Sequence, residues 1–501
     1  MKYKLLDRRH ADVDLKVLRT YQDLFEGGAT LRARVQDYLP RNDLEPAAVY
    51  KKRCEQAHYL NYCASIANYF ASALFTCPPV LKSDPEVVDP FYAAFKEDAD
   101  GAGTDLDAML RDLVVRALVG RRAYLRVEFP APGEPLPAGA SLADAERAGL
   151  RRARLVAVPT ETVRNWRRDP SGAFEWVLTH EHRTELVDLD DEGETVTEVW
   201  TQWYADGAAR RWERTRGASE KLRADDDIPE VEPPHNPTGA CPLVELALPA
   251  ELWLMNHLAD PALELFRKRN ALSWGIARTC YAMPWFFLKD VRKPPTMGTG
   301  YYGMLGTEER IEWPTPPSTP FDVIRETAKE LVQELHRVAQ QMALGVDNNA
   351  TALGRSGDSK AADHESTEVV LKAYGKRMRE PLERVLDLVA RGRGEDIAWS
   401  VGGMDVYDLA DASTLTEMAV SGKALEIPSP TYRREMLKSV AHAHLPHVDE
   451  AIRQKIDAEI TEGVTEEDDE RESTVPPPKG SDGYEDEQPS IPPPPKVPRI
   501  P

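Results

Sequence analysis

Residues 321–345 read FDVIRETAKELVQELHRVAQQMALG. Phe321, Ile324, Ala328, Leu331, Leu335, Val338 and Met342 recur at alternating steps of three and four. That period lays one continuous apolar seam along an α-helix, suited to packing on another helix. Asp322, Glu326, Glu330 and Glu334 step by four across the polar side, with Arg325 and Lys329 beside them. Gly345 stands where a helix is expected to stop. The soft stretch 345–357, GVDNNATALGRSG, follows. A further helical pattern then runs from about Asp358 to Ala390, with Val370, Tyr374, Met378, Leu382, Val385 and Leu388 in phase. Asp358 or Ser359 can cap it. Pro381 lies inside it and lacks a backbone N–H, so the helix is expected to kink there or split near Glu380.

Upstream, residues 262–280, ALELFRKRNALSWGIARTC, place Leu265, Leu272, Ile276 and Cys280 on one helical face. Residues 283–320 break the pattern with prolines, glycines and aromatics, leaving short strand-like runs, PWFFL and RIEW. This is a small non-helical insert between two helices, a pattern that can carry a knob away from a body.

Residues 1–118 read as helical. Tyr50 to Phe75 sets Tyr59, Cys63, Ile66, Phe70 and Leu74 on one face, and Pro78-Pro79 ends it. A second helix is expected from Thr104, as N-cap, to Leu118. From Gly120 to about Leu248 the period changes to two. RRAYLRVEF, ARLVAVP, FEWVLTHEHRTE, TVTEVWTQWYAD and ARRWERT are separated by turn signals such as Asp169-Pro170-Ser171-Gly172. They predict an antiparallel β domain with one wet face, because the strands carry many arginines and glutamates. Residues 227–242 form a linker or set of turns, and IAWSV (397–401) is a short strand. Short helices are expected at 410–425, 429–444 and 446–460. Beyond about Thr461 the chain turns acidic and proline-rich, which predicts disorder. The class is α+β.

The chain has 501 residues, 42% hydrophobic and 29% charged, with a net charge of −21. Such acidity argues against a protein that coats nucleic acid. It leaves open one that surrounds DNA without gripping it, while its commoner meaning is that the charge keeps a protein in solution. Five scattered cysteines without a CxxC pair read as reduced thiols in a cytosol. The first residues lack the apolar core of a signal peptide, and no run is long enough for a membrane span.

Catalytic signals are poor. GRSGDSK (354–360) fails the GxxxxGK[ST] spacing, has Ala361 after the lysine, and follows a helix where a strand is required. His180 and His182 fall on the same face of a strand, but no nearby carboxylate–histidine set completes a metal site, so they read as solvent-facing. His442, His444 and His447 miss the i, i+4 ligand spacing and read as a solvated helix end. Ser356 has no GxSxG frame. Pro492–Pro495 reads as solvated tail, with a polyproline ligand as the alternative. No catalytic residue, metal or cofactor is expected, and the chain reads as a non-enzyme.

The order of elements resembles the portal protein (head-to-tail connector) family of tailed bacteriophages. VYKKRCEQAHYLNYCASIANYFASALFTCPPVL (49–81) looks like the N-terminal helix of one portal group. CPLVEL (241–246) followed by ADPALELFRKRNALSWGIART (259–279) is similar to the entry into a first stem helix. The seam helix, the loop and SKAADHESTEVVLKAYGKRMREPLERVLDLV (359–389) resemble a second stem helix, a tunnel loop and a long kinked helix over a channel. The resemblance covers about residues 40–460.

It implies a homo-oligomeric ring, a dodecamer in the family, at the capsid vertex, through which double-stranded DNA is packaged and ejected. Residues 1–250 would be the wing, 251–282 and 321–344 the stem, and 283–320 the clip. Residues 345–357 would be the tunnel loop, 358–402 the long kinked helix and strand, 403–460 the helical crown, and 461–501 a disordered tail. Asn348, Asn349 and Arg355 would face DNA, and Asp322, Glu326, Glu330 and Glu334 the channel. Trp285, Phe286, Tyr301, Tyr302 and Trp313 would bind clip partners. The implied partners are the terminase large subunit, head-completion or adaptor proteins, and the major capsid or scaffold protein, with no membrane. The implied location is the virion, and host cytoplasm during assembly. Two alternatives stand beside it: a monomeric or dimeric hydrolase or transferase with its site between the β domain and the helices, and another phage head or connector component. A convergent catalytic set would favour the first.

Overall fold

The computed structural model describes residues 1–85, 90–131, 149, 151–186, 194–279, 285–287, 310–312, 318–346, 359–404, 407, 420, 429–445, 452–453 and 455–463. The chain divides into two units, residues 1–408 and 409–501. The class is α+β, as expected.

The first unit opens with helices α1 (Tyr3–Leu6), α2 (Leu15–Glu26), α3 (Gly28–Ala33), α4 (Val35–Tyr38), α5 (Ala47–Glu55) and α6 (Tyr62–Leu74). Strand β1 (Val80–Asp84) follows, then α7 (Pro90–Glu97) and α8 (Leu106–Gly120). Cys63, Ile66, Phe70 and Leu74 of α6 are buried, as are Leu106, Leu110, Leu113 and Ala117 of α8. The two stripes meet. Asp105, not Thr104, caps α8, its Oδ1 accepting from Ala108 N at 2.7 Å.

The helix expected over Tyr50–Phe75 is two helices. Tertiary hydrogen bonds hold the backbone open between them. Asn270 accepts from His58 N at 2.9 Å and donates to His58 O at 3.1 Å. Tyr59 Oη donates to Leu24 O at 2.8 Å, and Asn61 caps α6 by accepting from Ala64 N. Helix propensity alone is a weak prior against such partners.

Two antiparallel sheets come next. Strands β2 (Arg122–Glu128), β3 (Arg154–Val158) and β9 (Leu243–Ala247) form one in the order β3-β2-β9. The other runs β4 (Val163–Arg168), β5 (Phe174–Leu186), β6 (Glu194–Tyr204), β7 (Ala209–Gly217), β8 (Glu230–Val231). Asp169–Gly172 closes the β4–β5 hairpin, with Gly172 at φ +91° as the turn requires. Tyr124, Val158, Val163, Trp166, Val177, Trp203, Cys241 and Leu243 pack together as a core between the sheets. The expected wet face is not simply wet. Leu178, Trp200 and Trp212 on the opposite face are covered by Tyr3, Leu6 and Ile228. Tyr3 N and Lys4 N donate to Asp226 O and Ala224 O and hold this cover in place.

Helix α9 (Leu254–Thr279), strands β10 (Trp285–Phe287) and β11 (Arg310–Glu312), and helix α10 (Thr319–Val346) follow in the expected order. Helix α10 continues to Val346, so Gly345 lies in its last turn and not beyond it. Helix α11 (Ser359–Arg393) runs unbroken through Pro381, so the split near Glu380 does not occur. Pro381, Leu382, Val385 and Leu386 are all buried, and that packing offsets the lost backbone bond. Strand β12 (Ala398–Gly402) pairs antiparallel with β1, from Val80↔Gly402 to Asp84↔Ala398.

In the second unit, α12 (Pro430–His444) is capped by Ser429 Oγ, which accepts from Tyr432 N at 3.2 Å. Residues 455–463 are helical, so order extends past the expected boundary at 461. The expected helix at 410–425 and the tail 464–501 lie outside the described residues, apart from residue 420. Cys54, Cys63, Cys77 and Cys241 are free thiols, and Cys280 lies outside the described residues. Among the described residues no helix is long and apolar enough to cross a membrane.

Candidate functional site

Helices α9 and α10 pack side by side as a hairpin, and the antiparallel pair β10–β11 lies in the connection between them. The strand-like runs PWFFL and RIEW are thus partners, with Trp285 opposite Glu312 and Phe286 opposite Ile311. The hairpin has two different ends. At its base Leu254, Met255, Leu258, Leu265 and Phe266 of α9 are buried, with Ala328, Leu335, Ala339 and Met342 of α10. Toward the strands, Phe321, Ile324 and Leu331 of the seam are only half-buried. There Ile276 is 41% exposed and Val323 60%. The helices still touch at this end. A Cβ on Gly275 would stand 2.7 Å from Phe321 Cε1, so the close approach depends on glycine.

The four acids of α10 share a polar side of the helix. Asp322, Glu326 and Glu330 are exposed and Glu334 is half-exposed. Most are met by a cation one turn on. Asp322 pairs with Arg325 at 2.7 Å, Glu326 with Lys329 at 3.4 Å, and Glu334 with Arg337 at 2.6 Å. The Arg337 hydrogen bond holds the Glu334 carboxyl below its usual range. Three of the four acids are thus met by cations of the same helix, two of them the Arg325 and Lys329 that the sequence places beside the row. Of the proposed clip residues, Trp285 and Phe286 lie in β10, while Tyr301, Tyr302 and Trp313 lie outside the described residues. Asn348, Asn349 and Arg355 also lie outside them.

One buried polar chain was not foreseen. His180 and His182 do share a face, their rings 6.4 Å apart, but the His180 side chain is only 11% exposed. Its Nε2 faces Glu198 Oε2 at 3.1 Å, and its Nδ1 accepts from Arg164 Nε at 3.1 Å. The proton therefore sits on Nε2. Glu198 Oε1 accepts from Arg216 Nε and Nη2 at 2.8 and 2.6 Å, and Arg164 reaches Asp7 at 3.3 Å. Trp200 stacks on His180 with ring centroids 4.7 Å apart. Burial pushes the pKa of His180 down, against the Glu198 hydrogen bond. The hydrogen bonds from His180 and then Arg216 take Glu198 down to about 2. The missed signal was register. His180 pairs with Trp200, which sets Glu198 diagonally beside it on the same face. His442 is likewise not merely solvated, since its Nε2 meets Asp457 Oδ1 at 2.7 Å. His447 lies outside the described residues. Among the described residues no cluster of three or more potential ligands could hold a metal ion.

No known family model matches the chain, and no characterised protein matches it in sequence. Solved structures give similarity at low scores. The virion of a native gene transfer agent particle matches with TM-score 0.36 and 12% identity, over 82% of this chain and 99% of that chain. The neck of an empty gene transfer agent particle, computed with C6 symmetry, gives 0.36 and 12%, over 78% and 92%. The neck of the native particle, computed with C12 symmetry, gives 0.33 and 12%, over 86% and 99%. TM-scores this low carry no argument about function.

Proposed function

We propose that the chain is a structural ring subunit of the portal type, a non-enzymatic element of a phage-like head or neck that conducts double-stranded DNA. The observation that carries this reading is the α9–α10 hairpin. Its base is in the core of the first unit, while its strand-bearing end exposes Ile276 and Val323. An amphipathic hairpin with apolar side chains left in water at one end is better satisfied by neighbouring copies than by solvent. Closed rings are how a heterologous interface of this kind terminates.

On this reading α9 and α10 are the stem and residues 283–320 the clip, with Trp285, Phe286, Tyr301, Tyr302 and Trp313 docking the terminase and later the adaptor proteins. Residues 347–357 are the tunnel loop, with Asn348, Asn349 and Arg355 toward DNA. The acid row Asp322, Glu326, Glu330 and Glu334 faces the channel. Its intrahelical ion pairs keep it from presenting a strong field of either sign. That suits a passage, because binding strength to DNA rises with each phosphate neutralised.

The test is the mass and image of the purified full chain. Rings in electron micrographs, with a mass in solution of many subunits, are expected. A strict monomer at all concentrations, with no rings, overturns the reading.

A further inference from the structure

Leu44 is 101% exposed, so its side chain is covered by nothing in its own chain. It also stands at φ +61°, a backbone region that leucine avoids. It is the third residue of a turn that Glu45 N closes by donating to Asn42 O at 3.1 Å. Glycine or asparagine takes such a position with little strain. The local fold therefore gives no reason for a leucine here. Its backbone is unfavourable and its apolar surface is left in water.

The loop nevertheless holds it firmly. Glu45 and Arg53 form an ion pair in which each side chain is only 8% exposed. Arg53 Nε and Nη2 donate to the two carboxylate oxygens at 3.0 and 2.7 Å, and Nη2 also donates to Pro40 O at 2.8 Å. Asn42 N donates to Glu45 Oε2 at 3.1 Å, and Arg41 Nε to Glu45 O at 2.6 Å. Both flanks of Leu44 are thus tied to α5. Strain of this kind persists where the surroundings over-determine it. An apolar side chain presented rigidly and left uncovered has little freedom to lose on docking, which suits it as an interface anchor.

A cavity of about 320 Å³, ample for one leucine, lies beside the first turns of α2. Val13, Val17, Tyr21 and Trp253 wall it and are half-buried. The other end of α2 is fastened toward Leu44. Asp23 accepts from Tyr38 Oη, Leu24 O from Tyr59 Oη, and Leu39 O from Tyr50 Oη of α5. The leucine and the cavity are therefore at opposite ends of α2, a helix of 12 residues and so about 18 Å long. Within one chain they do not meet.

We propose that Leu44 of one copy enters this cavity on the next copy. The inference rests on the ring-subunit reading and gives it a contact. A knob at one end and a hole at the other make a heterologous interface, which repeats head to tail until a ring closes. Charge agrees. Arg41, Lys51 and Lys52 are exposed around Leu44 with no ion-pair partner among the described residues, against Asp43 as the exposed acid of the loop. The copy that receives them carries a net charge of −21, with Asp12 and Asp14 exposed at the cavity. Of the cavity's own cations, Arg122 is turned to Asp12 and Glu245, and Arg121 lies over the Trp253 ring.

The test follows the mass of the full chain in solution across concentration by sedimentation. Leu44→Gly should raise the melting temperature, since glycine accepts this φ freely. It should also raise the concentration needed for assembly about tenfold, as loss of an anchor does. A leucine needed only for folding would not separate the two readouts in this way. Leu44→Asp and Val17→Asp should each weaken assembly as much. An equimolar mixture of those two variants should associate at lower concentration than either alone, because one keeps the knob and the other the hole. Undiminished assembly of both Leu44 variants, or a mixture no better than its parts, overturns the inference and leaves the ring reading standing. A parent chain that stays monomeric at every concentration overturns both. Should Val17→Asp fail to fold, Val17→Ser takes its place in the mixture.

Discussion

Gly375 lies in α11 against the turn that follows β12. A Cβ there would stand 2.0 Å from the Met404 carbonyl oxygen and 2.9 Å from Met404 Cβ. The obstruction is backbone, and Met404 already sits at φ +54°, so it has little freedom to yield. Replacing a helical glycine by alanine normally stabilises by about 1 kcal/mol. Here Gly375→Ala should instead destabilise by about 3 kcal/mol, the upper range of overpacking, as read by denaturant unfolding. A stabilised variant would show that α11 does not approach this turn. The His180–Glu198 pair makes a second prediction at this scale. Both folded pKa values are depressed, so both groups contribute stability above their ordinary values and lose it as pH falls. Melting temperature should drop first below about pH 6.5, as unfolded histidine binds its proton, and again below about pH 4.3 for the glutamate. Glu198→Gln should flatten the second decline, and a profile unchanged by that substitution would remove the pair from the account.

Among the elements, the hairpin was the most legible part of the chain and also the most informative. The three-four period of α10 needs no knowledge of its partner, because it reports only that one side is apolar. The same period could not show that burial fades along the seam from Met342, which is buried, to Ile324 and Phe321, which are half-buried. That gradient depends on what lies beside each turn. The break between α5 and α6 was illegible for a related reason, since the hydrogen bonds that hold it open come from Asn270 in α9. Exposed apolar positions make the element's prediction simple. Ile276→Asp with Val323→Asp should cost the isolated chain about 2 kcal/mol, less than a core substitution, because both side chains keep only part of their apolar surface covered. The same pair should shift the mass in solution from assembly toward monomer. A large loss of melting temperature would mean that these side chains pack within the chain, and an unchanged mass would mean that they do not meet a neighbour.

At the scale of the whole molecule, composition and pattern reached the α+β class and the order of its parts. They did not reach the pairings between distant segments. Strand β9 joins β2 through Val244↔Leu125, and Tyr3 and Leu6 cover Trp200 and Trp212; neither follows from local period. The proposed tunnel loop offers a test that separates assembly from conduction. Deleting residues 347–356 should leave rings in electron micrographs and reduce the DNA packaged or retained by particles. Failure to form rings would make the segment a folding element instead.

The pairing of β1 with β12 has a consequence in time. Strand β1 ends at Asp84 and its partner begins at Ala398. During synthesis at roughly 5–20 residues per second, β1 therefore waits on the order of tens of seconds with its edge open. An open edge is a template for the wrong partner. The strand's own sequence, VLKSD, supplies a lysine and an aspartate along that edge, the kind of charge that discourages such pairing until the late strand arrives.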